Sequence, residues 1–126
     1  MQYKRFEDLP IWQLSLEVTK IIYDYTSNER WCRDFALRDQ IRRAIISVSS
    51  NIVEGFEKNY NNEFVRFLKI SKGSTGEVRN QLYIAHAILY INKDEFDQAD
   101  GKLQELAKQI GGLIKYLEEY KKANNS

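Results

Sequence analysis

No proline follows Pro10 in this chain of 126 residues. Proline interrupts helices because it lacks an N–H donor and clashes with the preceding turn, so its near-absence leaves room for long helices. Apolar residues recur every three or four positions along most of the chain, and no strand-like alternation competes with that pattern. The sequence therefore predicts an all-α protein.

The apolar pattern predicts four helices with short connections. They cover about residues 9–26, 34–57, 61–91 and 93–122. Asp8 is the expected N-cap of the first helix, and Asn92 with Glu95 fits a capping box at the last. Gly73 and Gly76 each cost about 1 kcal/mol in a helix interior, but the apolar face resumes in phase beyond them, which favours one continuous third helix. The fold predicted is an antiparallel up-and-down four-helix bundle, forming a single domain over residues 1–126.

The apolar stripes also predict which side chains form the core. On the first helix the stripe contains Leu9, Trp12, Leu16, Ile22 and Tyr25. On the third helix it contains Phe64, Phe67, Ser71, Ser74, Val78, Leu82, Ala85 and Leu89.

Composition narrows the class of protein. The net charge is +1, which weighs against a dedicated nucleic-acid binder. A single cysteine rules out an internal disulfide or a multi-cysteine metal site. The apolar runs are too short to cross a bilayer, and the first residues lack the apolar core of a signal peptide. We therefore expect a cytoplasmic protein.

A file of polar residues lies beside the core stripe of the second helix, with its members three or four positions apart. It consists of Gln40, Arg43, Ser47, Asn51 and Glu54. Neighbours at that spacing can touch. The file is either a solvated face, a hydrogen-bonded ladder at a helix or subunit contact, or, least favoured, a ligand site.

Small residues suggest where helices approach each other closely. Gly55 lies near the end of the second helix, and Gly73 and Ser74 lie within the third. Small side chains allow another backbone to come near. Close helix packing is therefore predicted at these three positions, the alternative being simple tolerance of glycine at the surface.

The third helix also carries a basic stripe. Arg66, Lys69, Lys72 and Arg79 fall within about 140° of arc, opposite the apolar face. Such a stripe is either a solvated face or a set of phosphate contacts. Val65, Tyr83 and Tyr90 are predicted near the same side, and that mixture suits a subunit contact.

No catalytic constellation is evident. His86 is the single histidine and falls at the edge of the core face. This position favours a structural histidine at the core boundary over a catalytic base. Cys32 lies in a predicted loop beside two arginines, and a free structural cysteine is the more common outcome. Carboxylate–histidine metal sites in bundles need two histidines. We expect no enzymatic activity, no metal, no cofactor and no small-molecule substrate.

A combination of motifs on the second and third helices resembles a known family. The residues are Gln40-Ile41-Arg42-Arg43-Ala44, Ser47, Asn51-Ile52-Val53-Glu54-Gly55, Phe64, Phe67-Leu68, Gly73-Ser74 and Glu77. They are similar to the four-helix bundle proteins encoded in 23S rRNA intervening sequences, a group that includes the accessory variability determinant (Avd) proteins of diversity-generating retroelements. The likeness extends over nearly the whole chain.

The resemblance implies a bundle that assembles as a homopentameric ring. For the Avd branch it further implies binding of nucleic acid and of a reverse transcriptase. The leading interpretation of this chain is a non-enzymatic oligomeric scaffold or adaptor whose main partner is itself. The alternative is a nucleic-acid-binding accessory protein that contacts RNA or a ribonucleoprotein through Arg66, Lys69, Lys72 and Arg79.

Overall fold

The fold consists of one short 3₁₀ turn followed by four α-helices. The computed structural model describes the backbone of residues 3–125 and the side chains of residues 3–120. The turn covers Phe6–Asp8, and the helices are α1 (Pro10–Thr26), α2 (Phe35–Glu57), α3 (Asn61–Ala87) and α4 (Lys93–Asn125). No strand occurs within residues 3–125, so the predicted all-α class is confirmed.

The four helices pack as a square. Each helix contacts the next one along the chain, and α1 closes the square by packing against α4. Helices α1 and α3, like α2 and α4, therefore lie on the diagonals. Fully buried side chains from every helix, such as Ile22, Ile45, Leu82 and Leu103, fill the centre. This arrangement is the predicted up-and-down bundle.

All four helices begin within one residue of the predicted starts at 9, 34, 61 and 93. Asp34 accepts a hydrogen bond from the backbone N–H of Leu37 at 3.1 Å and caps α2. Asn92 and Glu95 exchange side-chain-to-backbone bonds of 2.8 and 3.0 Å, which completes the capping box of α4. The prediction for Asp8 is wrong, because it lies in the 3₁₀ turn and the buried Leu9 occupies the N-cap position with no side-chain cap.

The core face of α1 differs from the prediction at one position. Leu16 is exposed, and the buried side chains of α1 are Ile11, Ser15, Val18, Ile22, Tyr25 and Thr26. The predicted stripe mixed two neighbouring faces, since Leu16 lies about 100° around the helix from Ser15. Helix α3 is continuous through Gly73 and Gly76, as expected.

Helix α3 ends four residues before the predicted end at residue 91. Leu89 adopts a left-handed conformation with φ of 67° and is 68% exposed, so its predicted place in the core is wrong. The backbone N–H of Tyr90 then bonds to the carbonyl of Ala85 at 2.8 Å, which closes the helix end. Glycine or asparagine is usual at such a position. Because this position holds a leucine, the sequence gave no indication that the helix ends here.

Replacing Leu89 by asparagine is expected to stabilise the protein by about 0.5–1 kcal/mol, because a left-handed conformation is costly for a leucine and tolerated by asparagine. Asn59 adopts the same conformation after α2, with φ of 64°. Asn59→Leu is the matched control and should destabilise by a similar amount. Urea unfolding of both variants measures the two differences, and a loss of stability in Leu89→Asn would contradict this reasoning.

Candidate functional site

The centre of the polar file on α2 forms a hydrogen-bonded contact with α3. The Ser47 hydroxyl lies 3.0 Å from the hydroxyl of the buried Ser74. The Asn51 amide donates to the Ser47 carbonyl at 2.8 Å and to its hydroxyl at 3.0 Å. Ser71 donates to the backbone carbonyl of Val48 at 2.7 Å in the same seam. The Ser47–Ser74 and Ser71–Val48 bonds join α2 to α3 and fix their register, whereas the Asn51 bonds lie within α2.

The remaining members of the polar file lie outside this ladder. Gln40, Arg43 and Glu54 are exposed and make no hydrogen bond or ion pair with any described residue. Gln40 and Arg43 line a depression of about 310 Å³ between α2 and α3, together with Ala44, Ser47, Ser74, Glu77 and Gln81. The structure therefore divides the file into an inner ladder and an outer polar rim.

One buried acceptor in this depression has no donor. Gln81 is 8% exposed, and its Oε1 atom finds no hydrogen-bond partner within the described chain. An unsatisfied buried polar atom costs about 1–3 kcal/mol. Gln81 therefore carries this cost in the seam between α2 and α3, at the edge of the depression.

The ladder leads to a prediction that separates Asn51 from Glu54. Asn51→Ala removes the two bonds to Ser47 and should lower the free energy of unfolding by about 0.5–1.5 kcal/mol. Glu54→Ala removes an exposed side chain without a described partner, and its effect should stay within about 0.5 kcal/mol. Thermal melts of both variants test the difference, and equal melting temperatures would show that the Asn51 bonds contribute nothing.

The three small residues predicted at close contacts do not behave alike. A Cβ atom added at Gly55 would lie 2.7 Å from the Cβ of Phe67 and 3.1 Å from the ring of Phe64. Gly55 is therefore required for the approach of α3 to α2. Ser74 is buried in the same interface. The prediction for Gly73 is wrong, because a Cβ atom there would meet nothing within 4 Å.

The basic stripe of α3 is largely neutralised by carboxylates of the same chain. Arg79 donates to Asp100 on α4 at 2.8 Å, and that hydrogen bond raises the pKa of Arg79. Lys69 lies 3.6 Å from Glu118, and Arg66 lies 3.1 Å from Glu63. Lys69 and Arg79 thus lie along the edge that faces α4, rather than opposite the apolar face as predicted.

Lys72 is the member of the stripe without a carboxylate partner among the described residues. It lies close to Gly111 on α4, where its Nζ atom would be 3.5 Å from an added Cβ. The four basic residues therefore offer one uncompensated cation, where the sequence suggested four.

Two of the three residues predicted at a subunit contact lie within the subunit. Val65 packs partly buried against the core. Tyr90 stacks on Trp31 with ring centroids 5.9 Å apart, and its hydroxyl donates to Asp34 at 2.9 Å. Tyr83 is exposed, although its ring contacts Phe96 at 4.7 Å between centroids. Tyr83 is therefore the exposed member of this set, and a subunit contact on this side stays a prediction.

Sequence reasoning missed a cluster that joins the two loops at one end of the bundle. Trp31, in the loop before α2, is completely buried. Asn28 accepts from the backbone N–H of Trp31 at 2.8 Å and donates to the carbonyl of Tyr90 at 3.0 Å. Arg30 donates to the carbonyl of Leu89 at 3.0 Å. A tryptophan flanked by polar residues in a loop was the one available indication.

His86 and Cys32, the residues with potentially reactive side chains, have different neighbours. His86 stacks on Phe96 with centroids 5.3 Å apart, at the boundary of the core as predicted. Cys32 is half-buried, and its thiol contacts the carbonyl of Glu29 at 3.4 Å. Within the described part of the chain, no group of three or more histidine, cysteine, aspartate or glutamate residues is placed to hold a metal ion.

The geometry defines a small helical bundle. Its candidate functional features are the polar contact between α2 and α3 and the basic stripe of α3. Within the residues described, none of the helices combines the length and the apolar character that crossing a membrane requires. A profile of the 23S rRNA-intervening sequence proteins matches residues 7–112. The chain belongs to that family.

A solved structure supports the fold. The chain is similar to a protein of unknown function from the S23 ribosomal protein family of Bacteroides thetaiotaomicron VPI-5482. The two share 24% sequence identity with a TM-score of 0.77, over 83% of this chain and 98% of the other. No curated protein matches the chain.

Proposed function

We propose that this protein is a non-enzymatic scaffold that acts as a homo-oligomer, with the pentamer as the assembled form. The observation that carries the proposal is a set of large apolar side chains exposed on regular helices. Ile70 and Ile84 on α3, Leu16 on α1 and Ile46 on α2 are each 41–44% exposed. Single exposed apolar residues are normal, but several on adjoining faces favour a protein contact.

The family resemblance implies a homopentameric ring, which supports this proposal. The unpaired Gln40, Arg43 and Glu54 leave polar groups available beside the isoleucines. A mixed apolar and polar surface of this kind is typical of subunit interfaces.

Light scattering at micromolar concentration tests the proposal. We expect a stable mass close to five times the 14.9 kDa of one chain. A mass equal to that of one chain over the whole concentration range would overturn it.

The second candidate function is binding of RNA, favoured by the uncompensated charge of Lys72 on a surface that an oligomer would repeat. Linked weak sites gain avidity without new contacts. Because Arg66, Lys69 and Arg79 already pair with carboxylates, we expect weak, sequence-independent binding that is lost near physiological salt.

An RNA titration at low and moderate salt distinguishes the two functions. The double variant Lys69→Glu, Lys72→Glu should abolish any signal. The double variant Lys108→Glu, Lys115→Glu makes the same change in net charge at two exposed lysines of α4 and serves as the control. Tight, salt-resistant binding to one RNA sequence would make nucleic-acid recognition the main function.

A further inference from the structure

Two exposed apolar patches lie on either side of α2. The first, the α2–α3 patch, contains Ile70, Ile84 and Ile88. Ile70 and Ile84 fall within about 40° of arc on α3, and Ile88, the C-cap residue one turn after Ile84, continues that face. They adjoin the edge where Ser74 and Gln81 face α2, as the bond from Ser74 to Ser47 shows.

The second, the α1–α2 patch, contains Leu16, Tyr23 and Ile46. Tyr23 lies on the α2 side of α1, because the guanidinium of Arg42 stacks over its ring at 4.5 Å. Leu16 precedes Tyr23 by two helical turns and Ile46 follows Arg42 by one, so all three side chains share this face.

Charge distinguishes the two patches and makes them complementary. Glu77 lies midway between Ile70 and Ile84, and Lys20 lies between Leu16 and Tyr23. Both are exposed, and neither forms an ion pair with a described residue. A lysine ammonium supplies three donors and no acceptor, which suits the Glu77 carboxylate.

We propose that the α1–α2 patch of one copy packs on the α2–α3 patch of the next copy, with Lys20 donating to Glu77 across the contact. The occupant of each patch is thus a second copy of this chain. This inference rests on the proposed homo-oligomer and specifies its interface.

Two different patches produce a closed ring rather than a symmetric dimer. A contact between unlike surfaces is head-to-tail, and it closes when the angle between the two surfaces fits the number of subunits. Adjacent faces of a square bundle point roughly 90° apart. A ring of four needs about 90° and a ring of five about 108°, so the packing fits four or five subunits.

The same geometry places α2 at the centre of the ring. The arc of α2 between the two patches carries exposed polar residues, including Ser50 and Glu57. Helix α4 lies diagonally across the bundle from α2 and faces outward. A substitution on the outer face of α4 should therefore leave assembly unchanged.

Single arginine substitutions test each patch separately. Ile84→Arg disables the α2–α3 patch, and Leu16→Arg disables the α1–α2 patch. Each variant should remain folded by circular dichroism, because both positions are exposed, and each should lose the mass of the ring. Tyr116→Arg, at a similarly exposed position on α4, should assemble as the parent protein does.

The pair Lys20→Glu and Glu77→Lys tests the polar contact. Each single variant should weaken assembly, and the double variant should restore it, because the ion pair is then reversed at every interface. Failure of the double variant to recover the assembly of the parent would overturn the contact between these residues.

Mixing the two arginine variants is the decisive experiment. Each keeps one intact patch, so an equimolar mixture should form a heterodimer of twice the 14.9 kDa chain mass in sedimentation at high concentration, while each variant alone stays monomeric. An oligomeric parent whose two variants retain its mass, or whose mixture stays monomeric, would overturn the interface and leave the homo-oligomer standing. A monomeric parent would overturn the homo-oligomer itself.

Discussion

Replacing Trp31 by alanine is expected to lower the free energy of unfolding by about 3–5 kcal/mol, the usual cost of removing a large buried aromatic side chain. Trp31 is fully buried although it lies in a loop, and its ring packs against Tyr90 beyond the end of α3. The substitution therefore opens a cavity and weakens the contact between the loop before α2 and the loop after α3. Urea unfolding followed by circular dichroism measures the loss.

Trp12 provides the matched control, since it is the other tryptophan of the chain. It is half-buried at the start of α1 and contacts Phe6 with ring centroids 5.4 Å apart. Trp12→Ala should cost less than half as much as Trp31→Ala because less area is withdrawn from water. Equal losses would mean that the complete burial of Trp31 adds nothing to its contribution to stability.

Trp31→Phe tests the energetic cost of the indole N–H, which has no hydrogen-bond partner among the described residues. The Nε1 atom of Trp31 is buried without a partner within the described residues. Phenylalanine keeps most of the packing and removes that unsatisfied donor, so its cost should be much smaller than that of alanine.

The helices could be predicted because their apolar periodicity is local information. The starts of α2 and α4 were also foreseeable, since Asp34, Asn92 and Glu95 are capping residues at suitable spacing. The end of α3 was not, because it depends on Leu89 in a left-handed conformation that tertiary contacts impose. Those contacts, from Asn28 and Arg30 to the carbonyls of Tyr90 and Leu89, join segments about sixty residues apart.

The candidate surfaces were predictable only in part. The file on α2 could be read from spacing, and Ser47 does bond to α3. Spacing along one helix does not reveal which partners a second helix brings, and this is why the pairing of Arg79 with Asp100 went unseen. The same limit hid the α1–α2 patch, because its residues come from two helices that only the packed bundle places on a common face.

Replacing Gly55 by leucine is the second change with a large expected effect. Even a single carbon at this position would lie 2.7 Å from the Cβ of Phe67, which is too near the backbone of α3 to move aside. Overpacking of this kind costs about 1–3 kcal/mol or more, and a whole leucine must separate α2 from α3. The Ser71 bond to the Val48 carbonyl and the Ser47–Ser74 contact should weaken with it.

Gly73→Leu is the control for this substitution, because the same change is made in a helix where an added Cβ meets nothing within 4 Å. Leucine is a better helix former than glycine, so this variant should gain roughly 0.5–1 kcal/mol. Melting temperatures should then move in opposite directions, down for Gly55→Leu and up for Gly73→Leu. A Gly55→Leu protein as stable as the parent would show that α2 and α3 can separate at this point without cost, and that the close approach at Gly55 does not determine how the two helices pack.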